Sequence, residues 1–141
     1  MQRIKLLDGT FVENVQEIND YMERVNQDNR KVLNITVLNT NYDDVYNKFS
    51  NQNNLTNIEI QGLTDVVIGT NEETGEPIIE QQYVTQGLQT NYTILNFIKG
   101  NVASGSYTVQ LHQKSDMEQE LLETQLALAE LTNLIIEGGL V

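Results

Sequence analysis

His112 is the only histidine in the chain, so a Ser-His-acid hydrolase or any imidazole base would have to be built on it. Its surroundings do not supply the rest. Ser104-Gly105-Ser106 lacks the G-x-S-x-G elbow that presents a nucleophile at a strand-to-helix turn, and Tyr107 to His112 alternates in polarity as a strand does. His112 therefore reads as a structural or surface residue. With no cysteine, a zinc site would need a mostly carboxylate shell. Asn39, Asn41 and Asp43, followed by Asp44, place oxygen donors at alternate positions like the opening of a calcium loop, but the glycine of the sharp turn and the closing glutamate are missing. That run is expected to cap a short helix instead. No glycine pattern that cradles phosphate occurs, neither G-x-x-x-x-G-K nor G-x-G-x-x-G. Acid pairs for glycoside chemistry could form among twenty Asp and Glu, yet there is no Trp and the tyrosines are scattered singly, which leaves no platform for a sugar. The expectation is a protein without enzymatic activity, cofactor or metal.

The chemistry that does stand out is that of binding. Ser115 to Val141 contains no Lys or Arg and reads as one long acidic amphipathic helix. Ser115-Asp116-Met117-Glu118 is a capping box, in which the serine accepts from the Glu118 amide and the glutamate reaches back to the Ser115 amide. Met117, Leu121, Thr124, Leu128, Leu131 and Ile135 then recur at alternating spacings of four and three, which holds one seam toward a neighbour. Leu122, Leu126, Ala129 and Ile136 form a second apolar side, roughly 100° or more around the helix. Asp116, Glu123, Glu130 and Glu137 make a charged stripe, and Gly138-Gly139 supplies a stop. A helix apolar on two sides touches two neighbours, so a second copy or another protein is expected against it. The residues expected to bind a partner are Met117, Leu121, Leu122, Leu126, Leu128, Leu131 and Ile135, and the acidic stripe suits a basic surface.

The elements that must carry this helix are bounded by composition. At 141 residues the chain can bury one ordinary core. The expected organisation is a β-rich body over 1–114 and an assembly helix over 115–141. Hydrophobic residues are 39% of the sequence, and Asn with Gln make up about a fifth, giving a polar, loop-rich surface. A formal charge of -12 with scattered basic residues argues against direct nucleic-acid binding. No apolar run is long enough to span a membrane, and the charged start Met1 to Lys5 is not followed by the core of an export signal. The sequons at Asn34, Asn54 and Asn91 are read as chance in an Asn-rich chain.

Along the chain, Ile4 to Val12 predicts two short strands around a two-residue Asp8-Gly9 turn. Val15, Ile18, Met22 and Val25 fall at helical spacing, which predicts a helix there and a loop over Asn26 to Arg30. Val32 to Leu38 is rich in β-branched residues and reads as a strand, Asp43 to Phe49 as a short helix, and Asn51 to Asn54 as a break. Leu55 to Gln61 alternates, with Leu55, Asn57, Glu59 and Gln61 on one side and Thr56, Ile58 and Ile60 on the other. Val66 to Ile68 and Ile78 to Val84 flank an exposed hairpin tip at Asn71 to Pro77. Tyr92 to Ile98 and Tyr107 to His112 make a further strand pair. The fold class expected is α+β: a mainly antiparallel β body with short helices and a long C-terminal amphipathic helix.

Three stretches carry a resemblance. Ile4-Lys5-Leu6-Leu7-Asp8-Gly9-Thr10, Phe49 with Asn54 to Ile60, and Tyr107 to Leu111 before the acidic helix from Met117 are similar to the opening, middle strand and ending of small proteins encoded in the tail and baseplate region of phages and prophages of low-GC Gram-positive bacteria. The chain departs from them in Gln16 to Arg30, which is longer and more helical in pattern. The resemblance implies a non-enzymatic tail or baseplate protein, retained in the virion or acting in the host cytoplasm. Its partners would be its own copies, as a homo-oligomer, or other tail proteins. The competing expectation is a small acidic inhibitor that mimics phosphates to a host nucleic-acid enzyme.

Overall fold

The turn at Asp8-Gly9 forms with three residues in its loop rather than two. Leu6 N–H bonds to Thr10 O at 2.8 Å, Gly9 N–H returns to Leu6 O at 3.0 Å, and Gly9 takes φ +90° while Asp8 keeps an ordinary φ. This is a tight turn closed by a glycine bulge. Asp8 contributes through its carboxylate, which accepts from the Thr10 amide at 2.8 Å and the Asn54 side chain at 2.9 Å. The turn joins β1 (Gln2–Lys5) to β2 (Phe11–Val25). These positions come from a computed structural model that describes residues 2–137.

The segment predicted as a helix is the larger part of β2, a 15-residue strand paired from Val15 to Val25 with β3 (Asp28–Val37). Bulges account for the start of the misleading spacing, and its remaining members, Met22 and Val25, lie exposed in the regularly paired outer part of the strand. Against β1 the register shifts between Val12 and Val15, where Asn14 takes φ 58°, and against β3 it shifts between Val15 and Glu17. Each bulge adds a residue, so the inward side chains Val12, Val15 and Ile18 fall three apart instead of two. The predicted loop contracts to Asn26 and Gln27, both at positive φ (52° and 66°), the conformation of a two-residue hairpin turn.

After β3, Asn41 caps α1 (Tyr42–Phe49) by accepting from the Asp44 amide at 3.0 Å, as the polar run suggested. The break at Asn51 to Asn54 is a 3-10 turn, Gln52–Thr56, and it takes Leu55 and Thr56 out of the predicted strand. Leu55 is buried with Ile58 rather than with the polar side, because the turn resets the phase before β4 (Asn57–Thr70) begins. β5 (Pro77–Thr90) returns along β4 from the predicted tip. β6 (Ile94–Asn101) starts two residues later than expected, since Asn91 turns at φ 64° and Tyr92 inserts into the core. β7 (Ser106–His112) follows, and then α2 (Asp116–Glu137).

The seven strands form one antiparallel sheet in the order β5-β4-β1-β2-β3-β7-β6. With α1 and α2 it is an α+β fold, mostly β, as expected. One face buries Ile4, Val15, Leu33, Ile35, Val109 and Leu111 under α1, whose Val45 and Phe49 complete the core together with Leu55. Gly100 lies opposite Tyr107 in β7, and the tyrosine ring covers it so closely that an added Cβ would sit 2.0 Å from a ring carbon. Among the described residues, no helix is long and apolar enough to cross a membrane. The predicted stop at Gly138-Gly139 lies outside the described residues.

Candidate docking surfaces

Helix α2 is rooted on the face of the sheet opposite the core. Val32, Asn34, Gln110 and His112 sit at paired positions of β3 and β7 on that face, since Val32 pairs with His112 and Asn34 with Gln110. His112 is buried, and Arg30 donates to its Nδ1 at 3.1 Å. Nδ1 is therefore the lone-pair nitrogen and Nε2 carries the proton, donating to Gln110 Oε1 at 3.0 Å. Gln110 Oε1 also accepts from Asn96 at 2.7 Å, and its amide donates to the Tyr21 hydroxyl at 3.0 Å. The network closes around a neutral imidazole. Burial, then the Arg30 charge, holds the His112 pKa below its usual value, while Glu23 and Glu118 oppose the shift.

From this network the chain steps to the helix. The buried Ser115 caps α2 by accepting from the Glu118 amide at 3.2 Å. The reciprocal half of the capping box is replaced: the Glu118 carboxylate pairs with Arg30 instead of returning to the Ser115 amide. Asp28 at the start of β3 supplies a further acceptor, taking the Met117 amide at 3.1 Å. A hydrogen bond from the Ser115 side chain, then the Met117 amide and Arg30, lower the Asp28 pKa against its desolvation. A negative group at the amino end of a helix also meets the favourable end of its dipole. One turn of α2 is thus tied down by Asp28, Arg30 and Ser115. A recess of about 520 Å³ lies between Glu23, Asn26, Arg30, His112 and Met117 at this root.

Beyond its root the helix is uncovered. Its 22 residues span about 33 Å. Met117, Leu121, Leu128, Leu131 and Ile135 line one side with relative exposures from 38% at Ile135 to 62% at Met117. Leu126 on the second side is equally bare, and Leu122 is half-buried. Thr124, the polar member of the seam, turns its hydroxyl to the Glu120 carbonyl at 3.0 Å, so it can be buried by a partner without losing a hydrogen bond. The seven residues singled out from the sequence all lie on α2, five along the seam and two on the other side. Leu134 and Ile136, also exposed, widen the apolar surface.

Two features were not singled out from the sequence. One is the anchor at Asp28, Arg30 and His112, which joins residues some eighty positions apart. The other is the outer half of the β4–β5 hairpin, where Leu63, Val67, Ile68, Ile78 and Ile79 are exposed. A signal for the second was present, because no Lys or Arg occurs between Lys48 and Lys99. Among the described residues no group of three or more His, Asp or Glu is placed to hold a metal ion. No protein-family model, curated protein or solved structure matches this chain.

Proposed function

We propose that this chain is a non-enzymatic structural or assembly protein of a phage or prophage tail or baseplate, acting in the virion or the host cytoplasm. In this reading α2 is its docking element, seating against copies of the chain or other tail proteins. The observation that carries the assembly role is the bare apolar seam of a helix fixed to the body through its first turn. Leaving leucines in water forgoes roughly 1.5–3 kcal/mol for each side chain that a partner could bury completely, so a row of them favours a covered state. The tail or baseplate setting is supported by the likeness of Ile4 to Thr10, Asn54 to Ile60 and Tyr107 to Leu111 to proteins of that region.

The test is sedimentation or light scattering of Leu128→Glu beside the wild type. A wild-type assembly that the variant loses is the expected result. A wild-type monomer that also fails to bind proteins purified from the assembled tail would reject the proposal.

A second reading, the acidic inhibitor of a host nucleic-acid enzyme, draws on the charged stripe of Asp116, Glu123 and Glu130, which has no cation on its own helix. Seven-residue steps place these acids about 10 Å apart, near the rise of three base pairs. Salt-sensitive capture of a basic nucleic-acid enzyme that survives Leu128→Glu, but not Glu123→Lys with Glu130→Lys, would favour it over the first.

A further inference from the structure

The net charge of this protein is not spread over its surface. Of the twenty acidic residues, six lie in the β4–β5 segment Asn57–Thr90 and six in α2, and neither segment contains Lys or Arg. The remaining eight acids share the rest of the chain with all eight Lys and Arg, so that part is formally neutral and the two segments carry the whole -12.

The β4–β5 hairpin also leaves the sheet. Among the described residues, β1 accompanies β4 as far as the pair Gln2–Gly62, and from Leu63 to Thr70 β4 is paired with β5 alone, as a two-stranded ribbon. Leu63 to Thr70 carries it roughly 25 Å beyond the last β1 pair. The ribbon exposes apolar side chains on both faces. Leu63, Val67 and Ile79 are exposed on the face that bears Tyr83, and on the other Ile78 is exposed beside Glu80 and Gln82, with Val84 exposed at the ribbon's base opposite Gly62. A two-stranded ribbon is marginally stable in water by itself, and one greasy on both sides gains from being enclosed rather than merely leaned upon.

We infer that the β4–β5 arm is a second docking element, enclosed on both faces by an apolar cleft rimmed with Lys or Arg on a different protein. Charge selects the occupant. Asp65, Glu72, Glu73, Glu76 and Glu80 surround the apolar positions with no cation among them, so a basic rim complements the arm and a second arm repels it. The body of another copy is a poor complement. It is neutral as a whole, and two of its cations are engaged: Arg3 lies over the Phe11 and Tyr83 rings at 4.1 and 3.8 Å, and Arg30 is held by His112 and Glu118.

The inference is independent of α2 and is tested apart from it. The full chain is titrated into two labelled synthetic peptides of alternating sequence, one of Leu and Lys, the other of Leu and Glu, with anisotropy as the readout. The Leu/Lys peptide is expected to bind, more weakly as salt rises. Binding is expected to fall about tenfold in Val67→Ser/Ile79→Ser, which changes no charge, and to keep its arm-dependent part in Leu121→Ser/Leu128→Ser. Far-UV circular dichroism confirms that the arm variant is folded. Glu73→Lys/Glu76→Lys, which leaves the apolar positions intact, gives the same decision if it is not. Equal affinity of wild type and both arm variants, or preference for the Leu/Glu peptide, overturns the inference. So does self-association of the wild type that Val67→Ser/Ile79→Ser abolishes, since the occupant would then be a second copy.

Discussion

Truncating the seam of α2 separates a helix that waits for a partner from one that holds its own body together. Leu121 and Leu128 are 59% and 58% exposed, so a little over half of each side chain remains to be covered. Full burial of a leucine is worth about 1.5–3 kcal/mol, so docking gains roughly 1 kcal/mol from each. Leu121→Ala/Leu128→Ala should therefore weaken association by about 2 kcal/mol, near thirtyfold. The isolated molecule should scarcely notice, because exposed substitutions stay within about 0.5 kcal/mol and alanine is a good helix former. Leu111→Ala, at a fully buried position of β7, provides the contrast and should cost about 2–5 kcal/mol. Urea unfolding followed by circular dichroism at high dilution measures the stabilities, and sedimentation equilibrium at higher concentration measures the association. If the double helix variant loses 2 kcal/mol or more as a dilute monomer, its leucines are packed internally and the docking argument fails.

The anchor of α2 should respond to pH. A His112 pKa depressed by folding means that the unfolded chain binds the proton more readily, so the contribution is complete above about 6.5 and is lost as pH falls from there through the folded value. Protonation also turns the Nδ1 acceptor into a donor facing Arg30, with Glu23, Asp28 and Glu118 the nearby carboxylates; amide exchange over Met117 to Glu120, corrected for intrinsic rates, should speed up below that pH, and pH-independent protection would contradict it. Arg30→Met should fray the first turn of α2 while changing global stability by about 1 kcal/mol or less, because the paired groups are partly exposed; hydrogen exchange resolves the two effects. Gly100→Ala should destabilise by about 1–3 kcal/mol, since the new Cβ would meet the buried Tyr107 ring and force it aside, and thermal unfolding measures the loss.

How much of this could be read from the chain follows from the range of each interaction. Local rules held where the decisive atoms are neighbours. Asn41 and Ser115 cap the helices that follow them, and the hairpin tip after Ile68 lies where Gly75 and Pro77 put it. The failures came where pairing across the sheet overrode local period. The Val15, Ile18, Met22 and Val25 spacing imitates a helix, its first step lengthened to three by a bulge that β3 accommodates, and that partner is not visible from within the segment. The Glu118 half of the capping box failed for a similar reason, since Arg30, distant in sequence, offers the carboxylate a full charge.

The sequence alone determined that this protein has an acidic, apolar-striped helix after a β-rich segment, because side-chain spacing and capping are properties of one element. Tertiary structure decided that the stripe is left in water. Asp28, Arg30 and His112 fix the helix root on the outer face of the sheet, while the core closes on the other face under α1. It decided likewise that, among the described residues, β4 runs on past its Gln2 pair with β5 alone, leaving apolar residues exposed on both faces of the arm. An apolar pattern records that a side chain gains from cover, and only the arrangement of the remaining chain establishes whether that cover is its own.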